Sequence, residues 1–137
     1  MGVMRRIFSG TAAAAFAVIA AALVPPLSRS PLDLARREAA PERLVVVDFY
    51  TDWCGWCQVL DRAVYPDPAV RRQLDRAVFL RLDAEREGRE AARRYRVDGF
   101  PTIVFLTARG REVGRIRGFQ PAPAFARLAR EILDRSR

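Results

Sequence analysis

The sequence contains no histidine and no lysine, and only two of its 137 residues are cysteines. Without histidine, the imidazole chemistry of catalytic triads and of histidine-based metal centres is excluded. A tetrahedral zinc site needs more Cys or His ligands than two thiols provide, so one chain cannot complete it. Scaffolds held by many disulfides are excluded as well, because two cysteines form at most one bridge. The chemistry of this chain therefore depends on few side chains, among which the two thiols are the most reactive.

The basic residues are all arginine, and 24 of them against 16 acidic residues give a formal net charge of +8. Such a charge can indicate a nucleic-acid or membrane-surface partner, for which basic residues cluster with aromatic ones. In this sequence the arginines instead alternate with acidic residues, as in 86–90 and 109–112. This mixed pattern is typical of a solvated surface, and we expect no nucleic-acid partner.

Residues 1–30 have the pattern of a targeting segment. Two arginines at 5–6 precede an uncharged, alanine-rich stretch over 7–27. A positively charged start followed by an apolar run is typical of a signal peptide, whereas about 18 or more apolar residues can also span a bilayer. A small-x-small site at 20–22 permits cleavage, but the apolar residues and prolines after it are a poor context for cleavage, so a retained anchor and a cleaved signal peptide both stay open. Both alternatives place residues 31–137 in the periplasm, free or anchored to the inner membrane.

Residues 31–137 predict one domain in which helices and strands alternate. Continuous β-branched and aromatic runs predict strands that are covered on both faces, and apolar residues at helical spacing predict helices. The predicted order is a helix from 31 to about 41, a strand over 44–50, helices over 54–64 and 68–74, a strand over 77–83, a helix over 87–95, a hairpin of strands 102–106 and 112–116, and a helix over 125–133. This order predicts an α/β fold with a central mixed sheet of about four strands flanked by helices.

The two cysteines, Cys54 and Cys57, are separated by two residues and lie where the first predicted strand gives way to a helix. This spacing allows a disulfide between them and places the first sulfur near backbone N–H groups that the helix leaves unpaired. Such groups favour the thiolate and lower the pKa of the cysteine. We therefore predict that Cys54 attacks a substrate disulfide and that Cys57 resolves the resulting mixed disulfide.

The segment 47–57, VDFYTDWCGWC, resembles the active-site segment of the thioredoxin-like superfamily. The motif at 99–102, Gly-Phe-Pro-Thr, resembles the cis-proline loop of that family, and Gly118 falls where the family has a glycine near the active site. The pattern over 65–70 is most similar to the periplasmic carboxy-terminal domain of the DsbD family of thiol:disulfide interchange proteins. The resemblance covers about residues 32–135 and implies a thioredoxin fold.

The resemblance implies that Asp48 is the buried carboxylate that serves as acid and base for the resolving cysteine. Burial is expected to raise the pKa of this carboxyl. Arg81 falls where thioredoxin has a lysine, and an arginine beside Asp48 favours its ionised form without being able to donate a proton. In the alternative interpretation, Asp48 only caps the end of a strand and Arg81 points to solvent.

The resemblance also implies a surface that binds substrate. Pro101 would have a cis peptide bond and offer its backbone to an extended peptide, although an ordinary trans turn is the alternative. Trp53 and Trp56 flank the thiols and can bind apolar peptide, but core packing explains one of them equally well. Phe100 and Gly118 complete the predicted substrate-binding set.

These features predict a monomeric thiol:disulfide oxidoreductase that acts on protein disulfides and needs no metal and no cofactor other than its own cysteine pair. The histidine that oxidising relatives carry between the cysteines is replaced here by Trp56, which favours a reducing direction. The chain has no Gly-rich dinucleotide fingerprint, so we expect its electrons to come from a membrane thiol relay.

Four alternatives remain open at this point. The domain could be a redox-inactive thioredoxin-fold module that binds extended peptides, or it could be a disulfide oxidase or isomerase. The cysteine pair could also form an inert structural disulfide, or two copies of the chain could share a zinc ion through four cysteines.

Overall fold

The computed structural model describes residues 30–39 and 41–136, so the predicted targeting segment lies outside the described residues except for Ser30. The elements follow in the order α1 (Pro31–Glu38), β1 (Val45–Tyr50), α2 (Gly55–Val59), a π-helical turn (Leu60–Val64), α3 (Pro68–Leu74), β2 (Val78–Asp83), α4 (Arg89–Arg94), β3 (Thr102–Leu106), β4 (Glu112–Arg117) and α5 (Ala122–Arg135). The predicted α/β class is therefore confirmed. No helix in the described part of the chain is both long enough and apolar enough to cross a bilayer.

The four strands form one mixed sheet in the order β2-β1-β3-β4. The central strand β1 runs parallel to β2 and antiparallel to β3, which in turn pairs antiparallel with β4. The first five residues of β1 are buried. A strand covered on both faces has no reason to alternate polar with apolar residues, which explains the continuous apolar run in the sequence.

Helices cover both faces of the sheet and create two apolar layers. The π-helical turn, α3 and α5 contribute to the layer that contains Val46, whereas α1 and α4 contribute to the layer that contains Val45 and Val47. Successive side chains of a strand point to opposite faces. Asp48 therefore points to the same face as Val46, toward the π-helical turn.

Three predicted helices differ from the observed ones at their ends, and the last of them is longer than the predicted 125–133, since α5 spans Ala122–Arg135. The first ends at Glu38, and Ala39 is already extended. The fourth begins at Arg89, not at residue 87, because Glu87 accepts a hydrogen bond from the backbone N–H of Asp83 over 2.8 Å. This bond holds residues 84–88 in a turn that follows β2.

The helix predicted over 54–64 is not uniformly α-helical. After α2 it widens into the π-helical turn, where the N–H of Tyr65 reaches back to the carbonyl of Leu60 over 2.9 Å. Such a turn changes the direction in which the following side chains point, and π-helical turns occur frequently at functional sites. Here the change affects Asp61 and Tyr65, both of which interact with the polar groups around Asp48.

Candidate active site

Cys54 and Cys57 form a disulfide at the start of α2, with their Cα atoms 5.3 Å apart. Cys54 is the N-cap residue, and its sulfur accepts a hydrogen bond from the N–H of Cys57 over 3.1 Å. This N–H belongs to the first turn of a helix, where backbone donors have no partner within the helix. The same donor would stabilise negative charge on the sulfur of Cys54 once the disulfide is reduced.

The tryptophans on either side of the first cysteine are exposed: Trp53 by 67% and Trp56 by 58%. Neither ring therefore belongs to the core, and the interpretation of one of them as a core residue is wrong. Trp53 meets the ring of Phe100 edge-on, with 5.9 Å between centroids, and its indole N–H donates to Glu85 over 3.1 Å. These contacts fix the ring of Trp53 beside the disulfide while leaving much of it open to a partner.

Trp56 stacks on Phe119, with ring centroids 4.8 Å apart and an angle of 27° between the planes. Sequence reasoning did not identify Phe119. The available signal is its position, since it is an aromatic residue directly after Gly118, which the resemblance places near the active site. Trp53, Trp56, Phe100 and Phe119 together form what we call the aromatic surface.

The loop before β3 contains the cis peptide bond between Phe100 and Pro101 that the resemblance implied. The carbonyl of Pro101 accepts a hydrogen bond from the N–H of Gly118 over 2.8 Å. Gly118 has φ of +69°, a left-handed conformation that glycine adopts without steric cost. The structure thus joins the loop that carries Phe100 to the loop that carries Phe119, and both rings contact the segment of the cysteines.

Asp48 is fully buried and accepts a hydrogen bond from Arg81 Nε over 3.0 Å. The same guanidinium contacts Asp61 Oδ1 through Nη1 over 3.1 Å and lies over the ring of Tyr50, 4.1 Å from its centroid. The alternative in which Arg81 only points to solvent is therefore wrong. The guanidinium links the buried carboxylate to a second one at the surface.

Burial raises the pKa of Asp48 above its ordinary value, and Arg81 opposes this shift through its hydrogen bond and its positive charge. Tyr65 also opposes it, whereas the negative charge of Asp61 reinforces it. The net direction is upward, as expected for a carboxyl removed from water. A carboxyl in this condition can exchange a proton at a pH closer to neutrality than an exposed aspartate can.

The Tyr65 hydroxyl and Asp48 Oδ1 are both buried, and neither has a partner with hydrogen-bond geometry, although the two side chains interact electrostatically. Sequence reasoning identified neither Tyr65 nor Asp61 as part of the site. A regular helix over 54–64 gives no signal for them, because their positions depend on the π-helical turn. Among residues 30–39 and 41–136, no cluster of three or more Cys, Asp or Glu side chains is arranged to hold a metal ion.

Comparison with known proteins identifies a family for this arrangement. Residues 31–133 match the model of the thioredoxin-like domain. The thiol:disulfide interchange protein DsbD of Cronobacter sakazakii is 39% identical over 98 residues, which cover 68% of this chain and 17% of that protein. DsbD of Ralstonia nicotianae is 35% identical over 111 residues, covering 77% of this chain and 18% of that protein. The chain thus spans about a sixth of the length of these curated relatives.

Solved structures give the same result. A thioredoxin from Thermus thermophilus superposes with a TM-score of 0.64 at 37% identity, over 77% of this chain and 82% of the other. The reduced carboxy-terminal domain of DsbD from Neisseria meningitidis superposes with a TM-score of 0.62 at 26% identity, over 73% of this chain and 89% of the other. The predicted resemblance and fold are both confirmed, and the chain belongs to the family of thioredoxin-like domains.

Proposed function

We propose that this domain is a thiol:disulfide oxidoreductase that reduces disulfides of other proteins on the periplasmic side of a bacterial membrane. The observation that carries the proposal is the Cys54–Cys57 disulfide at the start of α2, next to an exposed aromatic surface. The similarity to thiol:disulfide interchange proteins supports the activity. The arginine pair and apolar run at residues 5–27 support export of the domain.

The reaction begins with the cysteine pair in its dithiol form. The Cys54 thiolate attacks one sulfur of the substrate disulfide, the substrate S–S bond breaks, and one substrate thiolate leaves. Cys57 then loses its proton and attacks the sulfur of Cys54, which re-forms the Cys54–Cys57 disulfide and releases the second substrate thiolate. Two electrons pass from the cysteine pair to the substrate, and the two released thiolates take up two protons.

Asp48 is the candidate acceptor for the proton of Cys57. It lies in β1, on the face of the sheet covered by the π-helical turn that continues α2. Its raised pKa suits a group that takes up a proton in the resolving step and releases it afterwards. Arg81 keeps its charge throughout and orients the carboxylate.

The aromatic surface is the candidate binding site for substrate protein. Exposed tryptophans combine large contact areas with little loss of conformational freedom, and such residues dominate many protein interfaces. The backbone next to Pro101 is the proposed pairing site for an extended peptide. A membrane thiol relay is the proposed electron donor, and no bound cofactor is required for the exchange.

Substitution of each cysteine tests the activity. With insulin as substrate, Cys54→Ser should reduce turnover to the uncatalysed background, because the nucleophile is missing. Cys57→Ser should retain the first attack and accumulate a mixed disulfide that can be isolated on a non-reducing gel. If wild-type protein does not reduce insulin and Cys57→Ser traps no partner, the domain is a redox-inactive peptide-binding module and the proposal is wrong.

The reduction potential of the Cys54/Cys57 couple tests the direction separately. A value near that of thioredoxin, about −270 mV, supports a reductase. A value near about −120 mV is that of a strong oxidant and would reassign the domain as an oxidase. The potential is measured by equilibration with glutathione or dithiothreitol buffers, followed by alkylation of the free thiols.

A further inference from the structure

Tyr65 lies at the end of the π-helical turn with its hydroxyl buried and without a hydrogen-bond partner, and Asp48 Oδ1 is in the same condition. A polar atom that is buried away from water without a hydrogen-bond partner lowers the stability of the fold. Two such atoms on interacting side chains therefore call for an explanation. The other oxygen of Asp48 is already occupied, because Oδ2 accepts from Arg81 Nε over 3.0 Å. Oδ1 is therefore the acceptor that remains.

The ring of Tyr65 has little freedom to turn away from this acceptor. It meets Phe79 at 5.1 Å and Phe125 at 5.7 Å between centroids, and both contacts are edge-on. Burial, and then the charge of Asp48, raise the pKa of the Tyr65 hydroxyl, so it keeps its proton at any physiological pH. A protonated phenol held beside a carboxylate is a hydrogen-bond donor.

Few charged or titratable groups face Asp48. Arg81 comes from β2, Asp61 from the π-helical turn and Tyr65 from the end of that turn. On the remaining neighbour, β3, the residue paired with Asp48 is the apolar Ile103. Arg81 and Tyr65 favour the carboxylate, whereas Asp61 and burial oppose it.

We propose that Tyr65 is a positioning residue for Asp48. The Tyr65 hydroxyl donates a hydrogen bond to Asp48 Oδ1, while Arg81 donates to Oδ2, and these two bonds are the arms of a clamp on the carboxylate. A phenylalanine would fill the same space and make the same ring contacts, so the hydroxyl is the part of Tyr65 that the apolar layer does not require. Tyr65 acts through Asp48. The inference rests on the proposed function only in giving Asp48 its role in proton transfer.

The clamp has a chemical consequence. Hydrogen bonds to the charged form of a carboxyl favour that form. The two arms together therefore keep Asp48 ionised over a wider pH range than burial alone allows, so that it is ready to accept a proton when Cys57 attacks. Loss of the Tyr65 arm should leave the fold intact and move proton transfer to higher pH.

The Tyr65→Phe variant tests the clamp without reference to activity. The full chain in its disulfide form is labelled with ¹³C at the aspartate carboxyls, and the signal of Asp48 is assigned by its absence in Asp48→Asn. In Tyr65→Phe we expect the titration of Asp48 to move upward by about one pH unit. Tyr50→Phe is the matched control, because it removes a hydroxyl from a ring that contacts Arg81 and should leave the titration of Asp48 unchanged. Arg81→Gln removes the other arm and should also move it upward.

An unchanged titration of Asp48 in Tyr65→Phe, together with a shifted one in Arg81→Gln, would overturn the clamp. In the wild type, the Tyr65 hydroxyl proton should also exchange slowly enough to be observed by NMR, and a rapidly exchanging proton would likewise overturn it. The pH profile of insulin reduction separates this inference from the proposed function. If the carboxyl titration shifts in Tyr65→Phe but the pH profile does not, the clamp exists and the role of Asp48 in proton transfer is wrong.

Discussion

Arg81 Nε lies 3.0 Å from Asp48 Oδ2, which joins a guanidinium that is 31% exposed to a carboxylate that is not exposed at all. This asymmetry determines what the pair contributes. Arg81 retains part of its hydration and a second partner in Asp61, whereas Asp48 has lost its water entirely. Because desolvation outweighs the attraction of the arginine, the pKa of Asp48 is raised. The pair is therefore better suited to proton exchange than to stabilisation of the fold.

The first prediction is that Asp48→Asn stabilises the protein at neutral pH and not in acid. A raised pKa means that the folded state holds the proton of Asp48 more tightly than the unfolded state does. The free energy of unfolding therefore falls as pH rises from the unfolded-state pKa through the folded-state pKa, and Asp48→Asn lacks this loss. Above the raised pKa the variant should gain about 1.4 kcal/mol for each unit by which that pKa exceeds its unfolded value. Urea unfolding of the disulfide form over a pH series measures this difference in the free energy of unfolding between the variant and the wild type.

Asp61→Asn is the control for this experiment. Asp61 contacts the same guanidinium but is 36% exposed, so its removal should change the free energy of unfolding by at most about 1 kcal/mol. A difference between Asp48→Asn and wild type that stays constant from acid to neutral pH would contradict the prediction. It would mean that another property of the substituted side chain, such as its packing, causes the change in stability.

The sequence predicted the fold well because its main elements depend on local patterns. The continuous run over 44–50 required a strand covered on both faces, and β1 is central in the sheet. The spacing of Phe125, Ala129 and Ile132 required an amphipathic helix, and all three side chains of α5 are buried. A sequence pattern predicts the element as long as the backbone keeps the same residue repeat along its whole length. Both β1 and α5 do so.

The parts of the site that were missed depend on contacts between distant segments. The change from α-helix to π-helical turn at Leu60 has no local signature, yet it determines where Asp61 and Tyr65 lie. Phe119 becomes part of the aromatic surface only because the Gly118 loop and the start of α2 meet in space. The sequence did predict Cys54 and the loop of Pro101, because their spacing and neighbours form motifs that resemble a known family.

The second prediction concerns Gly118, whose N–H donates to the carbonyl of Pro101. Its φ of +69° is a left-handed conformation that costs a residue with a Cβ about 1–2 kcal/mol. A Cβ at this position would meet no heavy atom within 4 Å, so Gly118→Ala should lower the free energy of unfolding by this backbone term alone. Because Phe119 follows directly, the variant should also weaken binding of substrate peptide. Thermal unfolding and peptide titration measure the two effects.

Gly99→Ala is the matched control, since this glycine lies in the proline loop, has no left-handed φ, and also leaves open space for a Cβ. It should be neutral or stabilise the protein by up to about 1 kcal/mol, through the reduced freedom of the unfolded chain. Equal destabilisation by Gly118→Ala and Gly99→Ala would show that the conformation of Gly118 is not the cause.

The third prediction is that Phe119→Ala separates the reduction of protein disulfides from that of small disulfides. Phe119 stacks on Trp56, so its loss removes the ring that orients the indole while keeping both cysteines. An aromatic contact of this kind contributes about 1 kcal/mol, so KM for a protein disulfide such as insulin should rise about fivefold. Turnover of a small disulfide such as hydroxyethyl disulfide should stay near that of the wild type, because it does not need the aromatic surface.

Leu34→Ala is the control, as Leu34 is an exposed apolar residue on α1 and should change neither rate. If Phe119→Ala slows both substrates equally, the ring acts on the cysteine pair itself and the aromatic surface is not the determinant of protein substrates.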